Sequence, residues 1–421
     1  MPFPKSADGL SSAHVIPRHL QSTLRSVARL YPVTTVTGPR QSGKTTLCRE
    51  TFPGKAYVSL EPLDARAYAA GDPRGFLAEH ARGAVIDEVQ QVPELLSYLQ
   101  EEVDRDPTPG RFVLTGSQHF GLTGAIAQSL AGRTAVLTLL APSLGELRRF
   151  DNAPKGLFET LWSGAYPRIF DRKIPPQRFL GDYLTTYVQR DVRQVLAVGD
   201  LTTFTGFLRL CAAHAGREVN FSALAADAGI THKTAQAWLS VLATSYLVFT
   251  LPSWQVNLKK QLVKRPKLAF FDSGLLCHLL GIGEPEQLRH HPLRGAVFES
   301  WVASEVYKQR VHAGLEARLF HLRDAKGLEV DLVLEDERAV TLVESKSGVT
   351  VPDDSLAQLA RILELARTRK DPRPVNGCLV YGGDRVQKRT ALTVLPWSKL
   401  PEAPWAARVS SARKPAKRAK K

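Results

Sequence analysis

The chain has 421 residues, length for two or three domains, with 43% hydrophobic residues for globular cores and no run of 18 apolar residues that would suggest a membrane span. The net charge is +15, of which the last fourteen residues carry +7 (Arg408, Arg413, Lys414, Lys417, Arg418, Lys420 and Lys421). The opening Met1-Pro2-Phe3-Pro4-Lys5 lacks the apolar core of a secretory signal, and Cys48, Cys211, Cys277 and Cys378 lie far apart without a C-x-x-C pair. Both features suggest reduced thiols of a cytoplasmic protein rather than a disulfide frame or a zinc site.

Residues 10–30 read as an amphipathic helix with Leu20, Leu24, Val27 and Leu30 on one face. It leads into Val33-Thr34-Thr35-Val36-Thr37, a β-branched strand, and then into Gly38-Pro39-Arg40-Gln41-Ser42-Gly43-Lys44-Thr45-Thr46, which matches G-x-x-x-x-G-K-[ST]. Glycines at the first and sixth positions let backbone N–H groups curl around phosphate oxygens. The helix starting near Lys44 adds the positive end of its dipole, Lys44 reaches the β- and γ-phosphates, and Thr45 offers a hydroxyl to Mg²⁺. Between a strand and a helix, this pattern is a nucleotide site.

Ala56–Leu60 reads as a second strand, residues 61–81 as Ala-rich helix, and Gly83–Glu88 as a buried strand ending in two acids. Asp87 at that end suits the water shell of Mg²⁺, and Glu88 can orient or deprotonate an attacking water. A glutamate after the aspartate favours hydrolysis over phosphoryl transfer by a small-molecule kinase. Arg111–Gln118 makes another buried strand whose polar end falls beside Asp87, where Ser117 or Gln118 could sense the γ-phosphate. With the strand Ala135–Leu140 these elements alternate as a parallel α/β sheet.

Together, Gly38–Thr45, Ile86-Asp87-Glu88, Leu114-Thr115-Gly116-Ser117, Ser129-Leu130-Ala131-Gly132-Arg133 and Gly164-Ala165-Tyr166-Pro167 resemble the AAA-family ATPases of bacteria and archaea that carry a C-terminal domain of unknown function. Thr186–Val192, Phe270–Leu275 and Gly295–Glu299 extend the resemblance from about residue 15 to 400. It implies an ATP-binding protein of the AAA+ superfamily. In such ATPases an arginine often completes the site from a neighbouring subunit or domain, which leaves room for a homo-oligomer. By position Arg133 and Arg190 are the candidates; either could instead be a structural ion-pair partner.

Residues 141–200 hold Leu, Trp and Tyr at helical spacing, as a lid would, with Tyr183, Tyr187 and Arg190 on one face. In 216–255, Asn220-Phe221-Ser222 opens a helix through Ala228, Gly229 turns the chain, and Thr231 caps a helix through Ala243. The strand-like stretches Tyr246–Leu251 and Trp254–Val256 complete a helix-turn-helix with a wing. His232, Lys233 and Gln236 would reach base edges if the unit reads DNA; otherwise it packs on the ATPase. Lys259, Lys260, Lys264, Arg265 and Lys267 make a phosphate-binding patch or a solvated face.

The last folded segment reads as αβββαβ: an amphipathic helix Phe298–Arg310 bearing Glu299 and Glu305, strands Ala317–Leu322, Leu328–Leu334 and Ala339–Ser345, a helix over 355–367, and short strands Gly377–Tyr381 and Leu392–Leu395. Glu344 and Lys346, two apart on a strand, share a side that Asp331 could join. The set resembles the D…E-x-K core of restriction-endonuclease-like nucleases, with Glu299 matching the helix acid of that fold and Ser345 where such nucleases often have Val or Ile. Two carboxylates and a lysine there could bind Mg²⁺ and activate water for phosphodiester attack. A salt-bridged, catalytically silent version of the fold is the alternative.

The sequence thus divides into a P-loop core (15–140), a helical lid (141–205), a winged-helix connector (206–285), a restriction-endonuclease-like domain (290–400) and a basic disordered tail (401–421). Such a tail suits either nucleic-acid contact through phosphates or solubility. The expected ligands are ATP and Mg²⁺, with DNA as the candidate macromolecular partner. The expected role is either ATP-driven nucleic-acid processing or that of a switch or scaffold.

Overall fold

All five residues of β1 (Val33–Thr37) are β-branched, and all five are buried. Such side chains fill a pleated surface covered on both faces. Four parallel partners complete the sheet: β2 (Ala56–Ser59), β3 (Ala84–Asp87), β4 (Phe112–Thr115) and β5 (Thr134–Thr138), in the order β2-β3-β4-β1-β5. Alternate residues face opposite ways. Val36, Val85 and Val113 pack under the helices Leu20–Val27 and Lys44–Thr51, while Val33, Ile86, Phe112 and Leu114 pack against Leu95–Arg105 and its neighbours. In a computed structural model the chain is described over residues 15–116, 124, 126, 128–187, 201–254, 265–323, 327–367, 372–390 and 392–406.

The first helix is shorter than its apolar spacing suggests. Leu20 and Leu24 are buried, but the helix ends at Val27 and Leu30 is 69% exposed, because the chain must turn there to enter β1. The Ala-rich stretch forms two helices, Leu63–Gly71 and Pro73–Glu79, split where Asp72 caps the second by accepting from Gly75 N at 2.9 Å.

After β5 the chain runs through helices Leu144–Leu147, Leu157–Ser163, Pro167–Asp171, Pro176–Tyr187, Leu201–Ala213, Phe221–Ala228 and His232–Thr244. Asn220 and Thr231 cap the last two as their sequence suggests, accepting from Ala223 N (3.3 Å) and Thr234 N (3.1 Å), with Gly229 left-handed between them. In the strand pair that follows, β6 (Val248–Leu251) pairs antiparallel with β7 (Lys267–Phe270). Trp254 donates its backbone N–H to His321 O at 2.6 Å, towards the C-terminal sheet, while Gln255 and Val256 of the expected wing lie outside the described residues.

The C-terminal part opens with helices Ser273–Leu279, Pro285–His290 and Arg294–His312. The last was expected to be amphipathic. It is buried on nearly every side, Ser300, Glu305, Lys308, Arg310 and His312 included, because β5, β7, β10 and the lid helices surround it. Six strands follow: β8 (Leu319–Arg323), β9 (Glu329–Glu335), β10 (Val340–Lys346), β11 (Val375–Tyr381), β12 (Gln387–Lys388) and β13 (Thr393–Pro396), in the order β12-β13-β11-β10-β9-β8. β10 and β11 are parallel, joined through the helix Asp353–Arg367, and the β8–β9–β10 pairs are antiparallel. One apolar cluster extends from Leu140 to Trp405, so the helices after β5, the β6–β7 pair and the helix Arg294–His312 share a core. All four cysteines are buried and free.

Candidate functional site

The sheet order decides the geometry of the phosphate site. β4 lies between β1 and β3, so the loop after β1 and Asp87 at the end of β3 are two strand spacings apart, roughly 10 Å. Between them stands Thr115, the last residue of β4, in register with Val36. Nucleotides bind at such carboxyl ends of parallel strands.

The loop residues Gly38–Gly43 turn through backbone conformations with φ of +145° at Gly38, +60° at Gln41 and +92° at Gly43. At Gly38 a Cβ would run into the carbonyl of Leu139, so no side chain fits there. Pro39 and Ser42 are buried, Arg40 is half-buried, and Gln41 and Thr46 are exposed. Lys44 and Thr45 begin the helix Lys44–Thr51. Lys44 folds back on its own loop, donating from Nζ to Gly38 O (3.1 Å) and Pro39 O (2.8 Å), and burial lowers its pKa to about 8. A triphosphate offers that ammonium better partners than two carbonyls.

Asp87 accepts from three hydroxyls. Thr45 Oγ1 lies 3.1 and 3.0 Å from its two oxygens, Tyr57 Oη is 2.9 Å away, and Thr115 Oγ1 makes a close hydrogen bond. Glu88 follows in a left-handed conformation (φ +58°) that takes it out of the strand, and Gln90 Nε2 donates to its carboxylate. Burial and the neighbouring Asp87 push the Tyr57 phenol up to about 12.

Beneath the loop, Arg18 donates from one terminal nitrogen to Ser42 O (2.8 Å) and from the other to Leu140 O (2.7 Å). Its Nε stands 3.1 Å from Glu146, a fully buried carboxylate. His312, the last residue of the Arg294–His312 helix, faces the same carboxylate at 3.6 Å and accepts from Leu140 N at 3.2 Å. A polar chain therefore joins the phosphate loop to the C-terminal part.

Of the two arginine candidates, Arg133 sits just before β5, its carbonyl accepting from Val33 N at the start of β1. That is the end of the sheet opposite the phosphate loop, and its guanidinium is held by Asp104 at 2.5 and 2.9 Å. Within one chain Arg133 therefore stands away from the phosphate loop, and its ion pair with Asp104 joins the start of β5 to the helix Leu95–Arg105. Arg190, Ser117 and Gln118 lie outside the described residues, as do Lys259, Lys260, Lys264 and the basic tail from Arg408.

The C-terminal candidates Glu299, Asp331, Glu344 and Lys346 do come together, around a residue the sequence placed elsewhere. Lys267, read as part of a surface basic patch, is 2% exposed on β7. Its ammonium is in close contact with Glu299 and lies 3.0 Å from Glu329 and 3.5 Å from Asp331. Asp331 also accepts from Ser345 N (2.8 Å), and Lys346 Nζ donates to Glu344 at 2.7 Å. Burial, then Asp331, raise the Glu344 carboxyl to about 7, with Lys346 offsetting part of the shift. Burial and Asp331 likewise push Glu299 well above the usual carboxylate range, while Glu299 and Asp331 outweigh burial to raise Lys267. Among the described residues, no group of three or more His, Cys, Asp or Glu is placed to hold a metal ion.

Sequence reasoning missed four residues here: Arg18, Tyr57, Thr115 and Lys267. Thr115 lay inside a motif already singled out, but its hydroxyl becomes relevant only once β4 is seen between β1 and β3. Lys267 carried a misleading signal, since a lysine near other lysines reads as surface.

The phosphate loop, the acid-ended β3 and the parallel sheet define an AAA-type ATP-binding protein, and the model of the AAA domain matches residues 30–148. Residues 154–286 match a domain of unknown function (DUF8612), and residues 294–400 match another (DUF4143). The chain belongs to the same family as "Uncharacterized protein Rv2008c" of Mycobacterium tuberculosis (strain ATCC 25618 / H37Rv), with which it is 30% identical over 326 residues, 76% of this chain and 71% of that one. "Uncharacterized protein Mb2031c" of Mycobacterium bovis matches with the same figures. Among solved structures, the Walker-type ATPase PABY2304 of Pyrococcus abyssi is similar over 63% of this chain and 96% of its own, at 15% identity and a TM-score of 0.44. Among the described residues no helix is long and apolar enough to cross a membrane.

Proposed function

We propose that this protein is a Mg²⁺-dependent ATPase in which Gly38–Thr46 cradle the triphosphate, Lys44 moves from its loop carbonyls onto the β- and γ-phosphates, and Glu88 orients the attacking water. The observation that carries the reading is the Thr45 hydroxyl 3.0 Å from Asp87 at the mouth of the phosphate loop. Two oxygen donors so placed suit Mg²⁺: Thr45 and Asp87 would hold it, and the ion would supply charge neutralisation at the β- and γ-phosphates. Thr115 and Tyr57 fix the Asp87 carboxylate. An arginine from a neighbouring subunit completes the site if the protein assembles.

Phosphate release measured with ATP and Mg²⁺ tests this. Wild type turns over; Lys44→Ala loses nucleotide binding, and Glu88→Gln keeps binding but stops hydrolysis. Binding of radiolabelled ATP by wild type no tighter than by Lys44→Ala overturns the proposal.

The three helices 201–244 with the β6–β7 pair serve as a winged-helix connector, and the segment after Arg294 adopts a restriction-endonuclease-like fold, with the αβββαβ order and the meeting of Glu299, Asp331, Glu344 and Lys346 in support. Two roles suit that fold, cutting of DNA or a nucleotide-driven switch that holds a partner without cutting. Lys267 among the acids favours the switch. DNA incubated with Mg²⁺ or Mn²⁺ is therefore expected to stay intact; cleavage by wild type that Lys346→Ala abolishes would restore the first role.

A further inference from the structure

We propose that the C-terminal carboxylate cluster is a latent divalent-cation site whose resident cation is the ammonium of Lys267. The inference deepens the switch reading of this domain and stands independently of ATP hydrolysis.

Three elements deliver acids to one point: the helix Arg294–His312 brings Glu299, β9 brings Glu329 and Asp331, and β10 brings Glu344. A restriction-endonuclease-like domain places a divalent metal among such acids. Here three of these acids surround Nζ of Lys267, in close contact with Glu299 and within 3.0 and 3.5 Å of Glu329 and Asp331, while Glu344 pairs with Lys346. An ammonium and a hard dication cannot share these ligands. Mg²⁺ needs oxygens at about 2.0–2.1 Å in near-octahedral array, and the positive charge already there repels it at short range. The residues present therefore do not fit a bound metal while Lys267 stays.

Lys267 is fixed where it is. Its strand pairs with β6 through Leu251↔Lys267 and bridges to Glu218 on the other side, with Leu268 N donating to Arg217 O at 2.9 Å and Val219 N to Pro266 O at 2.8 Å. The side chain is only 3% exposed, whereas Glu329 (35%) and Lys346 (36%) open the cluster to solvent on one side. The cation thus comes from the connector and the acids from the C-terminal domain. While Lys267 stays, its ammonium holds the place a dication would take.

The test uses the full-length protein without nucleotide and Mn²⁺ as probe, with free Mn²⁺ read by electron paramagnetic resonance. Wild type is expected to bind no Mn²⁺ that Asp331→Asn removes. Lys267→Gln is expected to bind one ion at least roughly tenfold more tightly than wild type, and Lys267→Gln/Asp331→Asn to lose it. Wild type binding Mn²⁺ in an Asp331-dependent way as tightly as Lys267→Gln overturns the proposal, and so does a folded Lys267→Gln that binds none. Should that variant not fold, wild type alone decides by thermal unfolding. A melting temperature unmoved by millimolar Mn²⁺, or moved equally in Asp331→Asn, supports the proposal; a rise abolished by Asp331→Asn overturns it. Because no ATP is present, failure here leaves the ATPase reading untouched.

Discussion

Arg18 and Glu146 form a buried ion pair, 3.1 Å apart, that supports the phosphate loop from below. Arg18 spends its remaining donors on Ser42 O and Leu140 O, so one side chain ties the loop to the end of the β5 segment. Breaking a buried pair leaves an uncompensated charge, which costs about 3–5 kcal/mol, whereas removing both partners costs less than the sum. Arg18→Met is expected to lower the thermal midpoint strongly and to weaken ATP binding. Arg18→Met/Glu146→Leu should be less destabilised than Arg18→Met alone. Calorimetry of the three proteins checks the order.

His312 and Glu146 give this pair a pH dependence. Burial drops His312 to about 3 from 6.5, so the folded chain keeps it neutral while the unfolded chain takes a proton below 6.5. Burial opposes ionisation of Glu146, yet Arg18 holds that carboxyl well below its ordinary 4.5. Both folded values are depressed, so both contributions are present at neutral pH and lost on acidification, His312 from 6.5 downward and Glu146 below 4.5. His312→Gln, which can still accept from Leu140 N, should remove roughly 2 kcal/mol of the stability lost between neutrality and about pH 5. Denaturant unfolding of both proteins across that range is the measurement.

Much of the ATP-binding half was legible because its signals are local. A run of β-branched residues before glycine makes β1, and a buried run ending in acids makes β3. The C-terminal acids were legible as a set because i and i+2 on a strand share a side. What could not be read was partnership across the chain. Lys267 lies more than thirty residues from Glu299, and nothing near it in sequence distinguishes a neutralised core lysine from a solvated one. Arg133 shows a related boundary: motif order places it just before β5, but does not tell at which end of the sheet it stands. The helix Arg294–His312 hid its burial because its polar residues pair with other elements, Lys308 with Pro142 O and Arg310 with Asp336 and Trp405 O.

Lys44 predicts how ATP affinity responds to pH. Burial lowers the value at which its ammonium loses its proton to about 8, and polyphosphate raises it by adding negative charge beside it. Binding therefore takes up a proton above about 8 and none below. Affinity is expected to be flat on the acid side of that point and to weaken up to about tenfold per pH unit above it. Fluorescent-nucleotide titrations check this. A Lys44→Arg variant, whose guanidinium stays charged, should show no such decline.

Thr115 predicts a split between binding and turnover. Its hydroxyl and those of Thr45 and Tyr57 orient Asp87. Thr115→Val keeps the shape of the side chain but removes the donor. Groups that orient a metal-associated carboxylate typically matter by about 10–100-fold. A kcat reduction on the order of tenfold with a KM within about threefold of wild type is the expected outcome of steady-state phosphate-release assays.

Two glycines predict effects of opposite sign. Gly274 packs against Gly164, and an added Cβ would stand 2.5 Å from Gly164 N and 2.7 Å from its Cα, both backbone atoms that cannot swing aside. Asp272 locks the same contact, accepting from Ala165 N at 2.8 Å and from Leu275 N at 2.9 Å, so the lid and the helix Ser273–Leu279 meet on a shared carboxylate. Gly274→Ala is expected to cost about 1–3 kcal/mol through overpacking. Gly206, inside the helix Leu201–Ala213, has nothing within 4 Å of an added Cβ. Gly206→Ala should therefore stabilise by up to about 1 kcal/mol through helix propensity alone. Thermal unfolding of the two variants beside wild type checks both, and equal shifts of the same sign would contradict the packing assigned to Gly274.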